Sequence, residues 1–218
     1  MKIIMNLRDF RWDEERFQVG GVASEFMRKL GIDGIELMHC PGGDPSFFPR
    51  EILGGLHLRN WNDWLDLWQG RWQALEEEYG SLEQAEKVYG SLDREAILKP
   101  LKEQLDLAER LSVPYVVFHV CDVKTRELYT YQFQHTDEEV AEAAAELINT
   151  LLDGKDYKFE FLMENLWWPG LTMTRPEITR LLLSGVHCPR AGIMLDTGHL
   201  MHTNLDLADQ EEAAAYIL

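Results

Sequence analysis

The stretch RAGIMLDTGHL, residues 190 to 200, ends a short apolar run on Asp196 and places His199 three residues later. A carboxylate at the end of a buried strand carries a desolvation cost unless a cation or a hydrogen-bond donor meets it. Two chemistries fit. Asp196 could cap an ordinary turn, with His199 exposed. Alternatively, the strand end delivers a carboxylate oxygen and an imidazole nitrogen to one point, where they would hold a divalent zinc, manganese or cobalt ion. Open coordination positions on such an ion would polarise substrate oxygens. The pattern recurs: FEFLMENL brings Glu164 and Asn165, YVVFHV brings His119 and GLHL brings His57, each at or near the end of an apolar run. His57 and His119 each have a plain alternative as core histidines bonded to a backbone carbonyl. Four ligand-type side chains at four strand ends favour a shared site.

The elements that must carry these residues alternate. Candidate strands are KIIMNL (2 to 7), GIEL (34 to 37), GLHL (55 to 58), YVVFHV (115 to 120), FEFLMENL (159 to 166) and GIMLD (192 to 196), with helical periodicity between them. In DREAILKPLKEQLDLAERL, Pro100 is expected to kink the helix or mark its first turn. Thr136 with Glu139, and Thr174 with Glu177, have the spacing of capping boxes. Gly154 and Gly185 stand where helix C-terminal caps belong. Near-continuous apolar strands separated by helices imply a parallel sheet covered by helices, because parallel neighbours need crossover connections. An open doubly wound sheet and a (β/α)8 barrel both satisfy this. No GxGxxG or GxxxxGK follows a strand, and polar residues ending several different strands converge in a barrel, so the barrel is favoured.

Composition bounds the partners. The 218 residues are 45% hydrophobic, as one globular domain requires, and no segment approaches the roughly 18 uninterrupted apolar residues of a membrane span. The N-terminal apolar stretch is too short for a signal peptide, so a soluble, cytoplasmic protein is expected. Cys40, Cys121 and Cys188 lack CxxC spacing and are expected to be reduced. With 38 acidic against 21 basic residues, a net charge of -17 and no Lys or Arg cluster, nucleic acid is disfavoured as a partner.

YVVFHV, FLMENLW and above all GIMLDTGHL resemble the xylose-isomerase-like TIM barrels, the superfamily of sugar isomerases and epimerases that also contains the endonuclease IV type of apurinic endonuclease. The resemblance runs from KIIMNL to the end and implies one barrel domain over residues 1 to 218. It implies metal ligation by Glu164 and Asp196. His199 would serve a second metal in the nuclease branch or line the site in the isomerase branch, and His57 and His119 resemble the nuclease ligands. The pattern is incomplete: such barrels need eight strands and about 250 residues, whereas six βα units are present and the seventh and eighth strands, with a further His and a second catalytic Glu, are missing. Six strands cannot close the barrel, so its gap is expected to face a partner subunit of a homo-oligomer or further C-terminal residues.

Two aromatic groups bear on the ligand. Trp61, Trp64, Trp68 and Trp72 have helical spacing and either pack a helix onto the body or form a lid, within a long connection that repeats YGSL at 79 to 82 and 89 to 92. LWWPG, residues 166 to 170, follows Glu164 directly. Trp61, Asn165, Trp167 and Trp168 are thus the expected substrate-side residues. The function expected is a metal-dependent isomerase or epimerase acting on a small sugar, sugar phosphate or polyol through an enediolate, with Glu164 moving the proton. The alternatives are a phosphodiesterase acting on abasic DNA, and a barrel that binds a ligand without catalysis.

Overall fold

The computed structural model describes residues 1–10 and 21–218. Six strands form one sheet, β1 (Ile4–Arg8), β2 (Gly34–Met38), β3 (Leu53–His57), β4 (Tyr115–His119), β5 (Glu160–Glu164) and β6 (Ala191–Met194), in the spatial order β1-β2-β3-β4-β5-β6. Each overlaps an apolar run read from the sequence. The pairs β1-β2, β2-β3 and β3-β4 are parallel. Sequence order equals spatial order, so the parallel strands are joined by crossover connections, helical except between β2 and β3, where only two short 3-10 turns intervene. The helices are α1 (Gly21–Leu30), α2 (Leu65–Gln69), α3 (Trp72–Tyr79), α4 (Leu82–Tyr89), α5 (Glu95–Leu111), α6 (Glu127–Thr130), α7 (Asp137–Leu152), α8 (Pro176–Gly185), α9 (Thr197–Met201) and α10 (Gln210–Ile217). This is an α/β fold of the (β/α)8-barrel type, with six of the eight βα units in the chain. Among the described residues, no helix is long and apolar enough to cross a membrane.

The chain divides into two compact units. The first comprises Met1–Arg59, Leu101–Phe118 and Asp156–Leu162. Its core is apolar: Ile35, Leu37, Leu56, Val116 and Phe161 of the strands are all buried, as are Leu105 and Ala108 of α5. Register aligns the strand ends, Arg8 opposite Met38 and Met38 opposite His57, so the residues that follow them share one edge.

The second unit comprises Asn60–Pro100, His119–Lys155 and Met163–Leu218. Helix α7 begins with the capping box expected from sequence: Glu139 N–H donates to Thr136 Oγ1 at 3.2 Å and Thr136 N–H to Glu139 Oε2 at 3.0 Å. Gly154 adopts the left-handed conformation beyond its end. The box expected at Thr174 does not form. The residue before a proline is driven into extended backbone; Arg175, at φ -127 and ψ 100, therefore becomes the N-cap of α8, Pro176 supplies its first turn and Glu177 accepts from Arg175 instead. Gly185 is likewise no left-handed cap. Its carbonyl accepts from Asn149 Nδ2 at 2.8 Å, and a Cβ there would stand 3.0 Å from Ala145 Cβ, so the glycine lets α7 and α8 close. Helix α5 runs through Pro100, which does not mark its first turn.

The tryptophan stripe does not lie on one helix. Gly70, left-handed at φ 68, ends α2, and α3 starts afresh at Trp72. Trp64 and Trp68 are buried, with ring centroids 6.3 Å apart, whereas Trp72 is exposed. The two inner tryptophans are therefore packing residues rather than a lid. The YGSL repeat closes α3 and α4 in the same way, with Gly80 and Gly90 as left-handed C-caps and Ser81 capping α4. The two tyrosines meet at one aspartate: Tyr79 Oη donates to Asp63 Oδ2 at 2.9 Å, Tyr89 Oη donates to the Asp63 carbonyl at 2.8 Å, and the hydroxyls lie 3.1 Å apart.

Candidate active site

Glu164 is the last residue of β5 and is buried. The backbone ladder continues past β4, where Val120 N–H donates to the Glu164 carbonyl at 3.1 Å, and this holds the carboxylate beside His119. Its two oxygens face different imidazoles: Oε2 lies 3.3 Å from His119 Nε2 and Oε1 lies 3.5 Å from His199 Nδ1. The two histidine rings meet edge to face at 5.8 Å.

Asp196 makes the cap that its sequence position allows, and its second carboxylate oxygen lies near His199. It is the N-cap of α9, where Oδ1 accepts from His199 N–H at 2.7 Å. The other oxygen, Oδ2, lies 3.8 Å from His199 Nδ1. One donor atom each from Glu164, Asp196 and His199 falls within 4.8 Å of the others. Two carboxylates and an imidazole are a donor set that fits a divalent zinc, manganese or cobalt ion. His199 Nδ1 also contacts the Asn165 carbonyl at 2.8 Å. A carbonyl only accepts, so in the neutral ring Nδ1 carries the proton and Nε2 the lone pair.

The loop after Glu164 is pinned by backbone bonds: Leu166 N–H to Leu171 O at 3.0 Å, Leu171 N–H to Val120 O at 2.9 Å and Asp122 N–H to Pro169 O at 3.0 Å. It presents two half-buried tryptophans. The Trp167 ring lies 4.4 Å from Trp168, 5.2 Å from His199 and 4.9 Å from His202. An aromatic wall therefore flanks the carboxylate–imidazole group. Asn165 is wholly buried, and its carboxamide bonds the backbone of Asp196. The Trp61 ring lies 5.6 Å from that of Tyr89.

His57 belongs to the first unit, where Nδ1 lies 2.9 Å from Glu36 Oε1 and Glu36 Oε2 accepts from Tyr115 Oη at 2.9 Å. Its partner is a carboxylate rather than the backbone carbonyl of an ordinary core histidine. The sequence reading missed a second histidine–carboxylate pair in this unit. Asp9, fully buried just beyond β1, bonds the ring of His39 and accepts from Cys40 N–H at 2.9 Å. An acidic residue straight after a strand was the available signal, as at Asp196. His202 was also missed, although its spacing of three from His199 places both on one helical face.

The second unit holds another ionisable cluster. His135 Nδ1 lies 2.8 Å from Asp122 Oδ2 and Nε2 lies 3.1 Å from Asp66 Oδ1; Lys124 Nζ pairs with Asp66, and all four residues are buried. Burial alone would lower the His135 pKa, but hydrogen bonds to the two aspartates and their charges push it up to about 9. Burial works to raise Asp66, yet the bonds and charges of His135 and Lys124 hold it below its ordinary value. Asp122 Oδ1 accepts from Trp64 N–H and Leu65 N–H, both at 2.9 Å, and so anchors the start of α2. The cluster fixes the long β3–β4 connection within this unit.

A parallel sheet whose strand ends carry histidines and carboxylates defines a barrel-type protein with a metal-competent centre at the end of β5 and the start of α9. The chain belongs to the xylose isomerase-like TIM barrel family, whose sequence pattern matches residues 25–218. Among solved structures, one described as a D-tagatose 3-epimerase-like protein matches with a TM-score of 0.53 at 15% identity, over 94% of this chain and 68% of that chain. At that identity the likeness bears on fold. No curated protein matches the chain in sequence.

Proposed function

We propose that this protein is a divalent-metal-dependent isomerase or epimerase of a small sugar, sugar phosphate or polyol. The observation that carries the reading is the convergence of Glu164, Asp196 and His199, with donor atoms within 4.8 Å of one another. Family membership and the epimerase-like description of the structural neighbour support it. Glu164, Asp196 and His199 would hold the metal, with His119 facing the second Glu164 oxygen. When bound, the metal would supply Lewis-acid polarisation of adjacent substrate oxygens. Trp167 and Trp168 would cover the apolar face of the sugar and limit access of water. Glu164 would move the proton between carbons through an enediolate, its charge held by the facing imidazoles.

The test is elemental analysis of purified protein beside proton exchange on a panel of ketoses and aldoses in heavy water. Glu164→Gln and Asp196→Asn keep shape while removing charge, so metal content should collapse in both with circular dichroism unchanged. Solvent deuterium should appear at the substrate carbon only with the metal-loaded wild type. His199→Gln should lower metal content less than either amide. Unchanged metal content in both amide variants would overturn the reading.

A further inference from the structure

We propose that Asn165 is the positioning residue of the centre, setting the place of Asp196 through its side chain and of His199 through its backbone; this rests on the metal-centre reading above. Asn165 is 0% exposed, so its carboxamide has to find partners inside the protein. It finds both on one residue. Oδ1 accepts from Asp196 N–H at 2.8 Å, and Nδ2 donates to the Asp196 carbonyl at 3.0 Å. The pair copies a rung of a β ladder just beyond the end of β6, where Asp196 is still extended at φ -92 and ψ 112. A side chain thus extends the sheet by one residue to carry the ligand.

The backbone carbonyl of the same Asn165 meets His199 Nδ1 at 2.8 Å. Glu164 is its chain neighbour. All three donors of the centre are therefore tied to one residue, two by hydrogen bonds and one by a peptide link. Asp196 has little freedom left: its backbone is held on both sides, and Oδ1 is held by the His199 amide at 2.7 Å, which directs Oδ2 to the centre. Only an amide offers a donor and an acceptor side by side at this length. An aspartate would set an oxygen against the Asp196 carbonyl, and an alanine would remove the acceptor for the Asp196 N–H and leave its carbonyl only the Leu200 N–H, at 3.0 Å. Outer residues of this kind commonly govern metal affinity without touching the metal.

The experiment compares wild type, Asn165→Asp and Asn165→Ala by titration with Co2+, using its visible d–d absorption to report coordination geometry, and by amide hydrogen exchange of the metal-free proteins. The proposal expects both variants to bind Co2+ about 10- to 100-fold more weakly with an altered d–d band. It also expects the Asp196 amide to lose at least about ten-fold in protection while helices elsewhere keep theirs. Wild-type affinity and an unchanged band in a folded variant would overturn it and leave the metal centre standing. Lower thermal stability with an unchanged band would also overturn it, since that is the signature of mere packing. Absence of Co2+ binding by the wild type would overturn the metal-centre reading itself, whatever the amide exchange shows.

Discussion

His135 and Asp122 face one another inside the second unit, imidazole Nδ1 to carboxylate Oδ2 at 2.8 Å, and the far side of the same ring meets Asp66 at 3.1 Å. With Lys124 paired to Asp66, two cations balance two anions only while the ring is protonated. The folded-state pKa of about 9 lies above the ordinary 6.5. Its stabilising contribution is therefore fully present below about pH 6.5 and is lost as pH rises through about 9. At about 1.4 kcal/mol per unit the contribution is at most roughly 3 kcal/mol. Thermal midpoints measured from pH 6 to pH 10 should fall more steeply for wild type than for His135→Gln. Parallel curves would remove the role assigned to the ring.

Asp63 also costs the fold stability as pH rises, but here it is the neutral form that the fold favours. Burial, and then the charge of Asp122, push its carboxyl from 3.8 up to about 7, although Tyr79 donates to it. Protonated Asp63 is the better-tolerated form, so stability from this group is present below its unfolded value and declines as pH rises towards 7. Asp63→Asn keeps an acceptor for the Tyr79 hydroxyl and removes the charge. The variant should match wild type in urea unfolding near pH 4 and exceed it at pH 8. A variant less stable than wild type at pH 8 would contradict this.

The cap made by Asp196 and its proposed metal ligation can be separated by substitution. Asparagine caps a helix about as well as aspartate, whereas alanine does not. Asp196→Asn should leave the unfolding free energy within about 0.5 kcal/mol of wild type, and Asp196→Ala should cost about 1 kcal/mol. Both should lose metal. Equal stability losses in the two variants would show that the charge, not the cap, supports the fold.

Gly170, in the loop that carries Trp167 and Trp168, stands at φ +128 and forms an antiparallel bridge with Cys121. A Cβ there would run into the Val120 carbonyl and stand 3.0 Å from Val140 Cγ1. Gly170→Ala should cost about 3 kcal/mol or more, combining backbone strain with overpacking. Gly80→Ala, at φ +84 with nothing within 4 Å of the added carbon, should cost only about 1 kcal/mol. Urea midpoints rank the two; the reverse order would contradict the close approach at Gly170.

The strands were legible in the sequence as short apolar runs, since Ile35, Leu37, Leu56, Val116, Val117, Phe161 and Met163 are buried and leave little polar alternation within them. The meeting of Asp196 with His199 was legible for a related reason: a charge that ends such a run carries a desolvation cost unless a partner meets it. The work of Asn165 was not, since its partners are backbone atoms 31 residues away and any residue type can supply those. His135 was hidden in the same way, with partners 13 and 69 residues distant. The tryptophan spacing misled because periodicity carries no record of where a helix stops. Gly70 breaks the run between Trp68 and Trp72, so four positions that fit one face belong to different segments. Thr174 misled because Pro176 dictates the backbone of Arg175 more firmly than a hydroxyl can.

The convergence of Tyr79 and Tyr89 on Asp63 sets a rule of length for the β3–β4 connection. One hydroxyl binds the carboxylate and the other binds the carbonyl of that same residue. Adding or deleting one residue inside α4 would turn Tyr89 about 100° around the helix axis and carry its hydroxyl away from that carbonyl. Surface substitutions along α4 leave the phase intact. A whole added turn would restore that phase but shift Tyr89 about 5.4 Å along the axis, so natural variation in this segment should take the form of exchanged side chains at constant length.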